Sequence, residues 1–366
     1  MNDMILKSEE KAVFALRSLY SSYGYLPFKM SKFEEYDIYV QNKDFLVSDR
    51  VITFNDTNGK LLALKPDVTL SIIKNTTDEA GCKQKVYYNE NVYRVSHSTH
   101  QFKEIMQAGL ECIGDIDTYD IFEAVYLAAK SLDTVSHDFV LDISHMGIVS
   151  SILSTVDGNS DFKDEAVKLI SERNSHEMRA LCGKYELEND TADNICALVN
   201  MYGSMSDVLY RLEKVCVTEE SKKELSDLEA LCKLLMNTEY ADKIRIDFSV
   251  LNDMSYYNGI VFKGFLNGIF DSVLSGGRYD KLLHRMGRRS GAVGFALYLD
   301  LLSELNNDKR LYDVDTLVVY GEDTDTSLVF ATVNKLTGDG KTVSAQKGIP
   351  SKLRYRKIVD LCKEEK

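Results

Sequence analysis

Apolar positions recur at helical spacing between Ser8 and about Ser22, where Ala12, Val13, Leu16, Leu19 and Tyr20 share a face and Gly24 follows as a stop. A strand-rich stretch comes next. Val51–Phe54 and Leu61–Leu64 are short apolar runs on either side of Asn58 and Gly59, which predicts a hairpin. Lys85–Val95 and Met106–Gly114 predict two longer strands around a loop rich in Ser and His. From Tyr119 to Leu132 the period is again that of an amphipathic helix.

Between about 147 and 240 the texture changes. DEAVKLISER, TADNICALVNMYGSM and EESKKELSDLEALCKLLMN are all helical in pattern, which predicts a helical insertion between two halves of one sheet. Strand character resumes at Ile244–Val250 and Gly259–Phe265, followed by a Gly-Gly-Arg-Tyr-Asp run and a helix expected from about Val293 to Leu305. A change of style near 306–312 reads as a linker. Beyond it, 312–366 offers a strand at Thr316–Val319, a helix over about Thr326–Leu336 and a short strand near Thr342, a truncated α/β segment. Strands separated by helical blocks, without regular βαβ alternation, predict an α+β core over 1–306: a mixed or antiparallel sheet flanked by helices. No internal repeat is present.

Composition narrows the class. Of 366 residues, 44% are hydrophobic and 28% charged, the balance of an ordinary globular protein. No run approaches the roughly 18 apolar residues that span a bilayer, and the N-terminus lacks a secretory pattern. The seven cysteines are odd in number, scattered and never spaced C-x-x-C, which argues against a disulfide framework or zinc ribbon and for a reducing cytoplasm. A net charge of −13 disfavours broad attraction to nucleic acid.

Most chemical motifs are absent. No dinucleotide or P-loop glycine pattern occurs, and Gly338–Lys341 reads as a turn. His97 and His100, in a Ser/Thr-rich context, read as a loop rather than metal ligands. No nucleophile signature is present. What stands out is a set of polar residues inside apolar strands: Asp67 and Thr69 after Pro66, Arg94 ending a strand, Gln107 and Glu111 four apart, Tyr256, Tyr257 and Asn258 before another strand, then Arg278 and Tyr279. Four is an even spacing, so Gln107 and Glu111 project to one face of a strand. Buried acids and amides need partners, so these residues describe either a polar pocket suited to an ammonium group or a solvated sheet face.

In this order, these segments resemble the histidyl-tRNA synthetase family. Leu64-Lys65-Pro66-Asp67-Val68-Thr69 is similar to its L-R-P-E-G-T. Tyr93-Arg94 and Gln107–Gly114 are similar to the F-R and Q-x-G-x-E-x-x-G of motif 2. Tyr256-Tyr257-Asn258 is similar to the end of R-G-L-D-Y-Y-N, Ser275–Asp280 to A-G-G-R-Y-D, and Ala292–Ala296 to the opening of motif 3. The resemblance implies that Asp67, Gln107 and Glu111 face the α-amino group of histidine, with Thr69 beside them and Tyr257 and Tyr279 toward the imidazole.

Departures from the family concentrate on its cations. The signature arginine falls at Asn252, followed by Asp253, Met254 and Ser255; the motif 3 arginine falls at Leu301. The arginine-bearing motif 2 loop becomes Ser96–Lys103, without arginine, and the motif 1 proline falls at Ser31. Adenylation brings negative charges together and needs fixed cations, so a chain retaining only Arg94 of this set is expected not to aminoacylate. A synthetase body so altered, with a shortened tRNA-reading tail, resembles the regulatory subunits of hetero-oligomeric, short-form ATP phosphoribosyltransferase. That resemblance implies a short catalytic partner subunit, a homodimer within a hetero-octamer, histidine as effector in either the pocket or the subunit interface, and no tRNA, membrane, metal or cofactor. A divergent working synthetase and a stand-alone histidine-binding module are the alternative readings. The basic run His284–Arg289 reads as a solvated loop, with a phosphate or partner contact as the other reading.

Overall fold

The computed structural model describes residues 8–42, 51–79, 81–95, 100–156, 160–250, 256–305 and 311–362. The chain divides into two compact units, Met1–Leu305 and Asn306–Lys366.

The larger unit is built on a nine-stranded sheet. Its order is Leu26–Pro27, Lys83–Val95, Phe102–Gly114, Gly291–Tyr298, Leu274–Arg278, Ile260–Leu266, Phe139–His145, Ile244–Asp247 and Tyr202–Ser204. Neighbours pair antiparallel except at two places, Leu26–Pro27 on Lys83–Val95 and Phe139–His145 on Ile244–Asp247, so the sheet is mixed. The strands Lys83–Val95 and Phe102–Gly114 form a long antiparallel ribbon of 13 residues each. The expected hairpin lies apart from this sheet: Thr53–Asn55 pairs with Leu61–Leu64 across Gly59, which takes a left-handed φ of 84°.

Helices Ser8–Ser22 and Thr118–Val135 cover one face of the sheet, and the second is fixed at its start by a capping box of Asp117 and Asp120. Period two sorts the Phe102–Gly114 strand cleanly. Ala108, Leu110 and Cys112 enter the main core with these helices, while Gln107, Gly109 and Glu111 face the other way. Among the described residues the insertion contributes six helices, Met146–Leu153, Ser160–Ser171, Ser175–Lys184, Asn189–Leu198, Met205–Val215 and Glu219–Leu235, plus the edge strand Tyr202–Ser204. Their apolar faces join the same core through Phe162, Ile170, Leu212 and Leu228.

One expectation fails. Val293–Leu305 is not a helix: Gly291–Tyr298 is a central strand, and Leu299–Leu305 is a 3-10 turn. This strand is paired on both edges and packed on both faces, so its sequence lacks the alternation that would have marked it and reads as a continuous apolar run.

The smaller unit holds a three-stranded parallel sheet in the order Val343–Gln346, Val314–Val319, Tyr355–Asp360, with the helix Thr326–Gly338. Tyr355–Asp360 is a strand that the sequence pattern did not suggest. Among the described residues no helix is long and apolar enough to cross a membrane.

Candidate functional site

On the face of the large sheet turned away from the main core lies a cavity of about 340 Å³. Asp67, Thr69, Arg94, Gln107, Glu111, Tyr256, Tyr257 and Tyr279 all line it, so the structure gathers eight of the ten candidate residues of the pocket reading into one place. Val68, Tyr88, Ser275, Gly276, Gly294, Phe295, Ala296 and Tyr298 complete the wall.

Each group is delivered by a distinct piece of chain. Gln107 and Glu111 project from the same strand, at 3% and 2% exposure. Arg94 and Tyr88 come from the neighbouring strand Lys83–Val95. Asp67 precedes the helix Thr69–Asn75 and accepts the Leu70 amide at 2.9 Å, while Thr69 opens that helix. The segment ahead of it is pinned by the buried Lys65 side chain, whose Nζ lies 3.0 Å from Glu90, and by the Tyr93 amide donating to the Lys65 carbonyl. Tyr279 sits where strand Leu274–Arg278 turns into helix Asp280–Arg285.

Glu111 stands at the centre. Its Oε1 accepts from Thr69 Oγ1 at 2.9 Å, and its Oε2 accepts a short hydrogen bond from the Tyr279 hydroxyl. Burial pushes its carboxyl up to about 8; the two donors pull against this and nearby Asp67 adds to it. Asp67 is also raised by burial, opposed by Arg94 and by the Leu70 and Thr69 amides. Arg94 Nη2 lies 3.9 Å from Asp67 Oδ2, and its Nε donates to the Pro66 carbonyl at 2.8 Å. Tyr256 packs edge-on against Tyr257 at 4.6 Å and tilted against Tyr279 at 5.8 Å. Burial raises the phenols of Tyr88, Tyr256, Tyr257 and Tyr279, so all four stay neutral donors.

Room for Glu111 comes from the strand opposite. Gly294 pairs directly with Glu111, and a Cβ there would collide with Glu111 Oε2 and with the Leu110 carbonyl oxygen. Gly109 serves Tyr88 in the same way, since a Cβ would meet its hydroxyl at 2.6 Å. Gly294 and Gly109 therefore hold cavity space open.

Two sequence candidates lie elsewhere. Arg278 turns away from the cavity and binds Asp280 through Nε at 2.8 Å, and Asn258 joins the same carboxylate, so both brace the Tyr279 corner. Leu301, at the motif 3 arginine position, packs against the main core. Asn252 to Ser255, His97 and most of the Ser/His loop lie outside the described residues. Among the described residues lining the cavity Arg94 is the one cation, and no three His, Cys, Asp or Glu side chains gather as metal ligands. Tyr88 lies outside every motif of the resemblance, and Ser275 and Gly294, though inside such motifs, are not singled out as lining residues, because all three enter by cross-strand register.

A cavity with two acids, one guanidinium and a wall of phenols is equipped to bind a small cationic group. Placed on the central strands of this mixed sheet, it defines the body of a class II aminoacyl-tRNA synthetase. More narrowly, the chain belongs to the histidyl-tRNA synthetase family, whose family model matches residues 2–302. Curated relatives include the ATP phosphoribosyltransferase regulatory subunit of Alkaliphilus metalliredigens, 29% identical over 76% of this chain and 71% of the relative. The protein of that name from Oceanobacillus iheyensis is 28% identical over 83% and 76%. Among solved structures, an ATP phosphoribosyltransferase regulatory subunit/histidyl-tRNA synthetase from Bacillus halodurans superposes with a TM-score of 0.79 at 23% identity, covering 97% of this chain and 94% of that one. A chain of the ATP phosphoribosyl transferase (HisG:HisZ) complex from Thermotoga maritima gives 0.60 at 20% identity, covering 80% and 97%. At these identities the structural likeness establishes the shared fold.

Proposed function

We propose that the chain is the regulatory subunit of a hetero-oligomeric ATP phosphoribosyltransferase in the first step of histidine biosynthesis. It activates a short catalytic subunit and makes it sensitive to histidine, without catalysing a reaction itself. The observation that carries this reading is a synthetase-type amino-acid cavity whose described lining keeps its acids and tyrosines but a single arginine. The names of the curated relatives point the same way.

In this reading histidine enters the cavity with its ammonium toward Glu111, Asp67 and Gln107, and its arrival draws the proton off Glu111. Tyr257, whose hydroxyl is bonded to Ser275, faces the imidazole. Tyr279 donates its hydroxyl to Glu111 and so helps to orient the carboxyl that meets the ammonium. Regulation then requires histidine to bind the active and inactive arrangements of the complex unequally. The chain acts as a homodimer inside a hetero-octamer with the catalytic subunit, and its seven free cysteines suit the reducing cytoplasm. Transfer of an aminoacyl group to tRNA is not part of its work.

The test mixes the purified chain with a short catalytic subunit from the same source and follows phosphoribosyl-ATP formation. Activity should appear only in the mixture and fall as histidine is added. A catalytic subunit indifferent to this chain overturns the proposal, and histidine-dependent exchange of pyrophosphate into ATP by the chain alone would make it a synthetase instead.

A further inference from the structure

Within the basic run His284–Arg289, Arg288 departs from the reading as a solvated loop. Arg288 is turned inward, with 13% of its side chain exposed. Its Nε and Nη2 reach Asp78 Oδ1 at 2.7 and 2.5 Å. Its Nη1 donates to the Ile73 carbonyl at 3.1 Å and to Thr76 Oγ1 at 2.7 Å, groups at the C-terminal end of helix Thr69–Asn75. Asp78 in turn accepts from the Arg289 amide at 3.0 Å, from the Ser290 amide at 3.3 Å and from Ser290 Oγ at 2.6 Å. The next residue, Gly291, opens the central strand that carries Gly294 and Tyr298 into the cavity wall.

The two elements joined here therefore both contribute to the wall of one cavity. The helix is only seven residues long, and its other end presents Thr69 and, just before it, Asp67. A helix that short is not self-sustaining, so its placement depends on what holds its ends. Only a guanidinium supplies the planar fork used here: two donors on a carboxylate and a third on a helix C-terminus.

We propose that Arg288 is a positioning residue for the cavity: by locking helix Thr69–Asn75 to the loop that enters strand Gly291–Tyr298, it sets the Thr69 hydroxyl on Glu111. This rests on the reading of the cavity as the histidine site, and it deepens that reading by assigning a residue that never touches the ligand.

The experiment compares Arg288→Lys, the milder Ser290→Ala, Thr69→Ala and a destabilised control far from the cavity, Leu228→Ala in the insertion core. Hydrogen exchange is measured on the ligand-free proteins, and histidine affinity across pH by calorimetry. Arg288→Lys should speed exchange of the helix amides from Leu70 to Ile73. It should weaken histidine about tenfold, the effect of losing one well-placed hydrogen bond. It should also move the pH midpoint of binding upward, as Thr69→Ala does, because Glu111 loses a donor while Asp67, Arg94, Tyr88, Tyr256, Tyr257 and Tyr279 still face it. Ser290→Ala should shift each readout the same way by less. Leu228→Ala should lower the melting temperature without moving the midpoint. Unchanged exchange in the Thr69–Asn75 helix of Arg288→Lys overturns the inference whether or not histidine binds. Wild-type protein that binds no histidine, with faster exchange still seen in Arg288→Lys, overturns the ligand assignment and leaves the clamp standing.

Discussion

Exchanging Glu111 for glutamine separates what the buried acid costs the fold from what it offers a ligand. In the unfolded chain this carboxyl ionises near its ordinary value of 4.5, whereas in the folded protein burial holds its proton up to about 8. Between those values the native state holds a proton that the unfolded state has released, so stability declines as the pH rises through the window. At about 1.4 kcal/mol per tenfold difference, the window amounts to about 5 kcal/mol as an upper bound. Glutamine has no proton to hold. Thr69 and Tyr279 both bond this group through hydroxyls, which either donate or accept, so one of them can reverse to accept from the amide. The two proteins should therefore melt alike near pH 5 and diverge steadily, with Glu111→Gln the more stable at pH 8 by about 2–4 kcal/mol. For a body of this size that is roughly 4–10 °C in melting temperature. Asp67, also raised by burial, is common to both proteins and does not enter the difference. Circular dichroism melts at pH 5, 6, 7 and 8 without ligand measure the effect, and histidine titration of the same samples should show the variant stripped of binding. Melting curves that stay parallel across that range, or wild-type affinity in the variant, would refute the reasoning.

Gly294→Ala places a methyl group against the Leu110 carbonyl as well as the Glu111 carboxyl, and the backbone atom cannot swing aside. The strand pair must part, so we expect a loss of about 2–4 kcal/mol in urea unfolding together with loss of histidine binding; a variant with native stability and affinity would mean the cavity floor is looser than its register implies. Glu90→Gln should cost about 3 kcal/mol in the same assay, since it leaves the buried Lys65 ammonium without its anion, and adding Lys65→Met should recover much of that loss. A Glu90→Gln protein within about 0.5 kcal/mol of wild type would show that water reaches Lys65.

Much of the body was legible because its elements obey simple periods. The first helix ends where its apolar stripe ends, and the even spacing of Gln107 and Glu111 is enough to put both on one strand face. The candidate residues could be grouped because each interrupts an apolar run, and polar groups there must find partners. What escaped depends on long-range pairing. Gly291–Tyr298 is packed on both of its faces, and that burial erases the alternation by which a strand announces itself. Tyr88 and Gly294 enter the site only through the register of Tyr88 against Gly109 and of Gly294 against Glu111, a relation between distant segments. Arg288 looked like one member of a solvated basic run because its partner, Asp78, lies 210 residues away.

The helical insertion is also constrained in a way that its name conceals. The insertion joins strand Phe139–His145 to its sheet neighbour Ile244–Asp247, and these two strands run parallel, with Leu141 opposite Ile244. Parallel neighbours cannot be joined by a tight turn; they require a crossover of a dozen residues or more. The six helices are that crossover, and their strand Tyr202–Ser204 also covers the open edge of Ile244–Asp247. Excising the module down to a short loop would unpair one strand and bare another to edge-to-edge aggregation. Chimaeras that trade this region between relatives must carry the edge strand along with the helices, and natural shortening of the region has a floor set by the sheet.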